Sequence, residues 1–125
     1  MNKPTAAETA GPTLTIRIQD KVKYVVVTPV GELGITNAGL LRDWLFGLTD
    51  GGRPLVADFD HVSLADATGL GVLIGAAHRL ALAGTQLYVA CTRQETLEQF
   101  ELAGVGRRAR LVRTVDEAVR DLAGE

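Results

Sequence analysis

The pattern of apolar residues changes period at Thr68, and that change constrains the fold more than any other feature of the chain. Leu55, Val56, Ala57 and Phe59 form a compact apolar run behind Pro54 and ahead of a polar loop, as a buried strand does. Beyond Thr68, the residues Leu70, Leu73, Ile74, Ala77, Leu80 and Ala81 recur at the spacing of one face of an α-helix. Strand, loop and helix therefore follow one another within residues 55–83, and the polar residues Asp66 and Thr68 fall where the helix begins. Either can cap it, because a short side-chain oxygen accepts from the free N–H groups of the first turn. That end also carries the positive end of the helix dipole and tolerates added negative charge. Thr68 stands beside Gly69 and is sterically open. Phosphorylation there would add about −1.5 to −2 units of charge.

The rest of the chain supplies partners for this unit. Residues 1–12 are rich in Ala, Thr, Pro and Glu without periodicity, which predicts a disordered leader before a domain spanning residues 13–123. Leu14, Ile16 and Ile18 alternate with polar residues, the mark of a strand with one wet face. Asp20 and Lys21 turn the chain into residues 24–30, a nearly continuous β-branched run that predicts a strand buried on both faces. Pro29 within it cannot donate to a ladder, so an irregularity or a free edge is expected there.

Residues 32–37 read as a loop with Thr36 as N-cap, followed by a helix carrying Leu41, Trp44, Leu45 and Leu48, with Trp44 as core. Asp50-Gly51-Gly52 ends that helix. Later come a strand over residues 86–91, a helix with Leu97, Phe100 and Ala103 stopped by Gly104, a short edge strand over 109–112 and a closing helix over 115–122. Thr92/Glu95 and Thr114/Glu117 have capping-box spacing. The order β-β-α-β-α-β-α-β-α predicts an α/β fold with a mixed, mostly parallel sheet, in which Val25, Val27, Val56 and Val89 are inaccessible.

At 125 residues the chain suits one domain with a single core. A net charge of −2 gives no basic footprint for nucleic acid, and no Lys/Arg cluster points to one. Apolar stretches are too short or too charged to span a membrane. Without a secretory pattern the expected location is cytoplasmic, and the lone Cys91 fits a reducing compartment, as a small core residue. His61 and His78 have no metal-ligand spacing, and Asp58 and Asp60 read as a solvated loop rather than a catalytic pair.

Gly69, Gly71 and Gly75 do not form a dinucleotide fingerprint. A loop precedes the first, the third is one place late, and no lysine follows them, so no cofactor is expected. Gly71 and Gly75, with Val72 and Ala76 beside them, give a smooth helix surface suited either to packing on the sheet or to docking another backbone.

Asp66-Ala67-Thr68-Gly69-Leu70-Gly71, following Val56-Ala57-Asp58-Phe59, resembles the signature of STAS domains, specifically the bacterial anti-sigma factor antagonists. Gly31-Glu32-Leu33 and Thr36 resemble a second family segment, and the resemblance covers roughly residues 14–122. It implies a non-enzymatic binding module with a STAS-like single-layer sheet. In its dephosphorylated form such a module binds an anti-sigma factor of the ATPase-kinase type and frees the sigma factor. The kinase then phosphorylates the residue matching Thr68, and a partner phosphatase resets it. The implied partner surface comprises Glu32, Gly34, Asp66, Ala67, Thr68, Gly69, Gly71, Val72 and Gly75. Two positions depart from the family pattern: Gly34 stands where aspartate is usual, and Ala67 replaces a hydroxyl residue. Gly34 favours the alternative reading, a STAS-like scaffold or transport-associated regulatory subunit that is never phosphorylated.

Overall fold

The computed structural model describes residues 14–124 and the backbone of residues 6–9. In chain order the elements are β1 (Ala6–Thr9), β2 (Leu14–Asp20), β3 (Val25–Leu33), α1 (Ala38–Thr49), β4 (Leu55–Asp58), β5 (Val62–Leu64), α2 (Thr68–Leu82), β6 (Leu87–Ala90), α3 (Gln94–Ala103), a 3-10 turn (Val105–Arg107), β7 (Arg110–Val112) and α4 (Val115–Leu122). One sheet runs β1-β2-β3-β4-β6-β7, and β5 pairs with β3 beyond the end of β4. β1/β2 and β2/β3 are antiparallel, and every other pair is parallel. This is the mixed, mostly parallel sheet that the alternation of strand and helix predicts.

Two strands were not legible. Ala6–Thr9 pairs with residues 15–18 of β2, which corrects the expected leader over those four residues; the remainder of residues 1–12 lies outside the described residues. β5 occupies the segment read as a loop, where three residues are too few to show a period.

Pro29 explains why β4 and β5 are separate. Val25 N–H donates to Pro54 O and Gly31 N–H to His61 O, so the odd-numbered residues of β3 turn their amides toward β4 and β5. Position 29 falls in the same phase, and proline has no hydrogen to give. β4 pairs with β3 only over Val25, Val26 and Val27, β5 only over Gly31, Glu32 and Leu33, and the chain bulges through Phe59, Asp60 and His61 between them. The expected irregularity lies in the partner strand, while Pro29 remains opposite Ile16 of β2.

Val25, Val27, Val56 and Val89 are at most 1% exposed, as the parallel core requires. On one face Leu14, Ile16, Ile18, Val25, Val27, Leu55, Ala57, Leu87 and Val89 pack with α1, α2 and α3, where Phe59 meets Phe100 at a ring-centroid distance of 6.0 Å. On the other, Val26, Val56, Tyr88, Ala90 and Val112 pack with Ala118, Val115 and Leu122 of α4. Trp44 is half-buried against the first core, the packing role expected of it. In α2 the buried set is Gly69, Leu70, Val72, Leu73, Ala76, Ala77 and Leu80; Ala81 is exposed, because the face turns slightly relative to the expected one.

Capping follows the sequence in one helix and departs from it in others. Thr114 accepts from Glu117 N–H at 3.1 Å and caps α4, but the Glu117 carboxylate accepts from Arg113 N–H rather than closing the box on Thr114. Thr92 does not cap α3. Its hydroxyl and N–H both donate to Asp60, which ties the ends of β4 and β6 together. Gly104 ends α3 in the left-handed conformation at φ 74°.

Tyr88 fastens α4 to the sheet. Its buried hydroxyl donates to Asp121 at 2.5 Å and accepts from the Gln86 amide at 3.1 Å, with Arg110 3.5 Å from the same carboxylate group. Burial first, then the hydrogen bond to and charge of Asp121, push the phenol up to about 12 against a smaller opposing pull from Arg110. The folded state thus favours the protonated phenol. That contribution is complete below the ordinary value near 10 and is lost as pH rises from 10 through 12. Tyr88→Phe should cost about 1.5 kcal/mol at pH 7, the low end for a hydrogen bond to a charged group. Urea unfolding at pH 7 and at pH 10.5 should show that the variant lacks this part of the alkaline decline.

Candidate functional site

The site forms where the ends of β3 and β5 deliver two loops to the start of α2. Ala65 N–H donates to Leu33 O at 2.8 Å, holding the chain against β3 one residue beyond β5. The chain then turns through Asp66 and Ala67, and Thr68 is the first residue of α2. Beside it runs the loop over residues 34–37 that leads into α1.

The Asp66 carboxylate joins these two loops. One oxygen accepts from Thr68 N–H at 2.9 Å and the other from Ile35 N–H at 3.0 Å. The Thr68 side chain, then the Thr68 and Ile35 amides, hold the carboxyl below its usual value of 3.8. Asp66 therefore does two things: it accepts from a free N–H at the open start of α2, as expected of a capping residue, and it bridges the two loops. Ala67 occupies the N-cap position of α2 and has no side-chain acceptor of its own, so Asp66, one residue earlier, supplies it. Thr68 is exposed, with its side chain next to the Asp66 carboxylate.

Asn37 stabilises the facing loop from inside. Its side-chain oxygen accepts from Gly34 N–H and its amide nitrogen donates to Glu32 O, both at 2.9 Å, and it is only 6% exposed. It also occupies the N-cap position of α1, correcting the expectation for Thr36, which is exposed. An Asn before a helical period is a recognisable signal, but the neighbouring threonine competes for the same role. Ile35 was missed as well; it is 76% exposed beside the Asp66 bridge, a lone apolar residue in a loop with no period to betray it.

The glycines have different tasks. A Cβ on Gly69 would lie 2.5 Å from Leu33 Cδ2, so its absence lets α2 sit against the end of β3. On Gly34 a Cβ would lie 2.9 Å from Asp66 Oδ2 and 3.1 Å from Ala65 Cβ, so this glycine makes room for the bridge. Gly75 packs on α1, where a Cβ would meet Phe46 Cζ at 2.9 Å. Gly71 is exposed with open space around it. Of the residues expected at a partner surface, Glu32, Ala67, Thr68 and Gly71 are exposed and Asp66 is partly so. Gly34, Gly69 and Val72 are buried beneath them, and Gly75 belongs to the contact between helices.

The other polar groups considered from sequence have local partners. Asp58 lies 3.6 Å from His61, and Asp60 serves Thr92, so the two carboxylates do not converge. Cys91 is buried, which pushes its thiol up. No group of three metal-ligating side chains occurs among the described residues. Nor is any helix among them long and apolar enough to cross a membrane. Chemically the arrangement offers an exposed hydroxyl at the positive end of a 15-residue helix, with an ionised carboxylate against it.

Comparison with known proteins places this geometry. The anti-sigma-B factor antagonist of Bacillus subtilis (strain 168) is 25% identical over 92 residues, 74% of this chain and 84% of that protein. The crystal structure of an anti-sigma factor antagonist from Mycobacterium paratuberculosis superposes with a TM-score of 0.78 at 22% identity, covering 93% of this chain and 97% of that one. The Bacillus cell fate determinant SpoIIAA in its phosphorylated form gives a TM-score of 0.67 at 18% identity, over 86% and 98% of the two chains. The model of the STAS domain matches residues 13–118, and the chain belongs to that family.

Proposed function

We propose that the protein is an anti-sigma factor antagonist whose docking surface surrounds Thr68 and whose affinity is switched by phosphorylation of that residue. The observation that carries this reading is the exposed Thr68 at the first position of α2, with Asp66 against it. The partner is an anti-sigma factor of the ATPase-kinase type. Its kinase activity transfers the γ-phosphoryl group of ATP to the Thr68 oxygen, with loss of the hydroxyl proton and release of ADP, and a partner phosphatase hydrolyses the ester. The likeness to a curated anti-sigma factor antagonist supports the partner class.

The switch is electrostatic. The unmodified surface presents Thr68, Ala67 and Gly71, small residues over which a partner backbone can lie, with Ile35 beside them as an apolar contact. The phosphate adds about −1.5 to −2 charges next to Asp66, which is already ionised. Docking must then strip water from two neighbouring negative groups. The effective penalty for an uncompensated buried ion is several kcal/mol, and every ~1.4 kcal/mol is tenfold in affinity. No rearrangement of the fold is needed.

A second reading has one observation in its favour. Gly34 brings no carboxylate of its own to the site, as would suit a scaffold or transport-associated subunit that is never phosphorylated. The Asp66 carboxylate, however, already lies against the space that a side chain at position 34 would enter.

Thr68→Ala should retain binding to the cognate anti-sigma factor and abolish incorporation of labelled phosphate from ATP. Thr68→Glu should weaken binding by less than phosphate does, since it carries less charge and fewer acceptor oxygens. Calorimetry at two salt concentrations would check both, because an exposed charge effect fades with screening. Equal affinities for wild type, Thr68→Ala and Thr68→Glu, with no phosphate incorporated, would leave the scaffold reading in front.

Gly34→Ala tests the bridge. The added methyl should displace Asp66 and speed amide exchange at Ile35 and Thr68, with weaker partner binding and an intact core. Because Asp66 titrates below 3.8, the bridge in the wild type should persist at pH 5 and loosen only as pH falls below the ordinary carboxyl value. Exchange rates at Ile35 that are unchanged by the substitution would show that the bridge does not hold the loop.

A further inference from the structure

The last strand of the sheet has an open edge away from Thr68. Among the described residues β7 pairs with β6 alone. Cys91 N–H donates to Val112 O at 3.1 Å, so Val112 presents its backbone groups to β6. By alternation, the amide and carbonyl of Leu111 point outward from the sheet. The Leu111 side chain is 39% exposed and lines a groove of about 420 Å³ with Leu97, Phe100 and Arg107, where Glu101 is the one carboxylate.

Charge gathers at this edge. Residues 107–113 read RRARLVR, with four arginines and no acid, in a chain whose net charge is −2. The whole-chain balance hides this cluster, so the expectation that no such cluster exists is corrected here. Arg107, Arg108 and Arg113 are exposed and make no ion pair among the described residues, whereas Arg110 lies 3.5 Å from Asp121 on the α4 side. Asp116 and Glu117 open α4 just beyond, and Glu117 accepts from the Arg113 backbone N–H at 2.9 Å.

We propose that the β7 edge and its groove bind an acidic, partly apolar polypeptide segment of another protein, which docks by adding a strand to the sheet. Three features converge on that occupant. The outward backbone groups of Leu111 supply main-chain hydrogen bonds, the groove takes an apolar side chain beside Leu111, and the arginines pair with carboxylates. The added strand sets an apolar side chain in the groove beside Leu111, and carboxylates toward its ends come within reach of Arg107 and Arg113, which flank β7 and have no ion pair among the described residues. Nucleic acid fits less well, because the groove is apolar and Glu101 stands in it. A second copy of this chain would set arginines against arginines across the new strand pair, a like-charge arrangement that destabilises it.

The probe is a fluorescent peptide of about seven residues with alternating glutamate and valine, long enough to cover this short edge. Three controls accompany it: the same peptide with lysine for glutamate, an N-methylated version that cannot donate along one edge, and a thymidine oligonucleotide. On the whole chain, the acidic peptide should shift the amide resonances of residues 106–113 and protect Leu111 from exchange. The lysine and N-methylated peptides should bind about tenfold more weakly or worse. Combining Arg107→Glu with Arg113→Glu should lower affinity by a similar factor without changing circular dichroism, since both side chains are solvated. Equal binding of the lysine or N-methylated peptide, resonance shifts confined to other surfaces, tighter binding of the oligonucleotide, or self-association through β7 would each overturn the proposal.

Discussion

A single missing hydrogen-bond donor organises the centre of this fold. β3 carries ladders along both edges except where Pro29 turns a nitrogen without hydrogen toward its parallel neighbours. Because nothing there can hold a continuous partner, the following strand is split into β4 and β5 by the bulge at Phe59, Asp60 and His61. That bulge displaces β5 to the far end of β3, at Gly31, Glu32 and Leu33. The start of α2 is thereby brought against the loop leaving β3, close enough for the Asp66 carboxylate to span the gap to Ile35. Gly34 and Gly69 complete the approach by leaving out the side chains that would block it. The exposed position of Thr68 follows from backbone constraints several residues away as much as from its own chemistry.

The core of this arrangement was readable because it repeats. Alternation in β2, the β-branched run of β3 and the helical period after Thr68 each involve many residues whose burial is dictated by one rule. Features set by single contacts were not. Ala6–Thr9 becomes a strand through its backbone pairing with β2, although its composition resembles a leader. Thr92 has the spacing of a cap but finds a better partner in Asp60 across the sheet, and Asn37 displaces Thr36 because its amide satisfies both Gly34 and Glu32. At the site, the change of period placed Asp66 and Thr68 at the start of α2. The role of Asp66 as a bridge, and the use of Gly75 against Phe46, depend on tertiary proximity that no local pattern encodes.

The switch proposed at Thr68 draws on a rigid surface. Asn37 and the Asp66 bridge hold the two loops in place before any partner arrives, so binding has little loop ordering to offset and phosphate has little conformation to change. The β7 edge presents arginines, whereas the Thr68 surface presents a carboxylate and small neutral residues. Opposite charge on separate faces allows partners of different chemistry to be discriminated by one small sheet.

The most direct measurement compares the affinity of the cognate anti-sigma factor for two forms of this chain, one unmodified and one stoichiometrically phosphorylated at Thr68, with amide resonances recorded on both. A surface electrostatic switch predicts at least about tenfold weaker binding of the phosphorylated form, with resonance changes confined to the two loops and the first turn of α2. Equal affinity of the two forms would contradict the account, as would resonance changes spread through the core of the sheet.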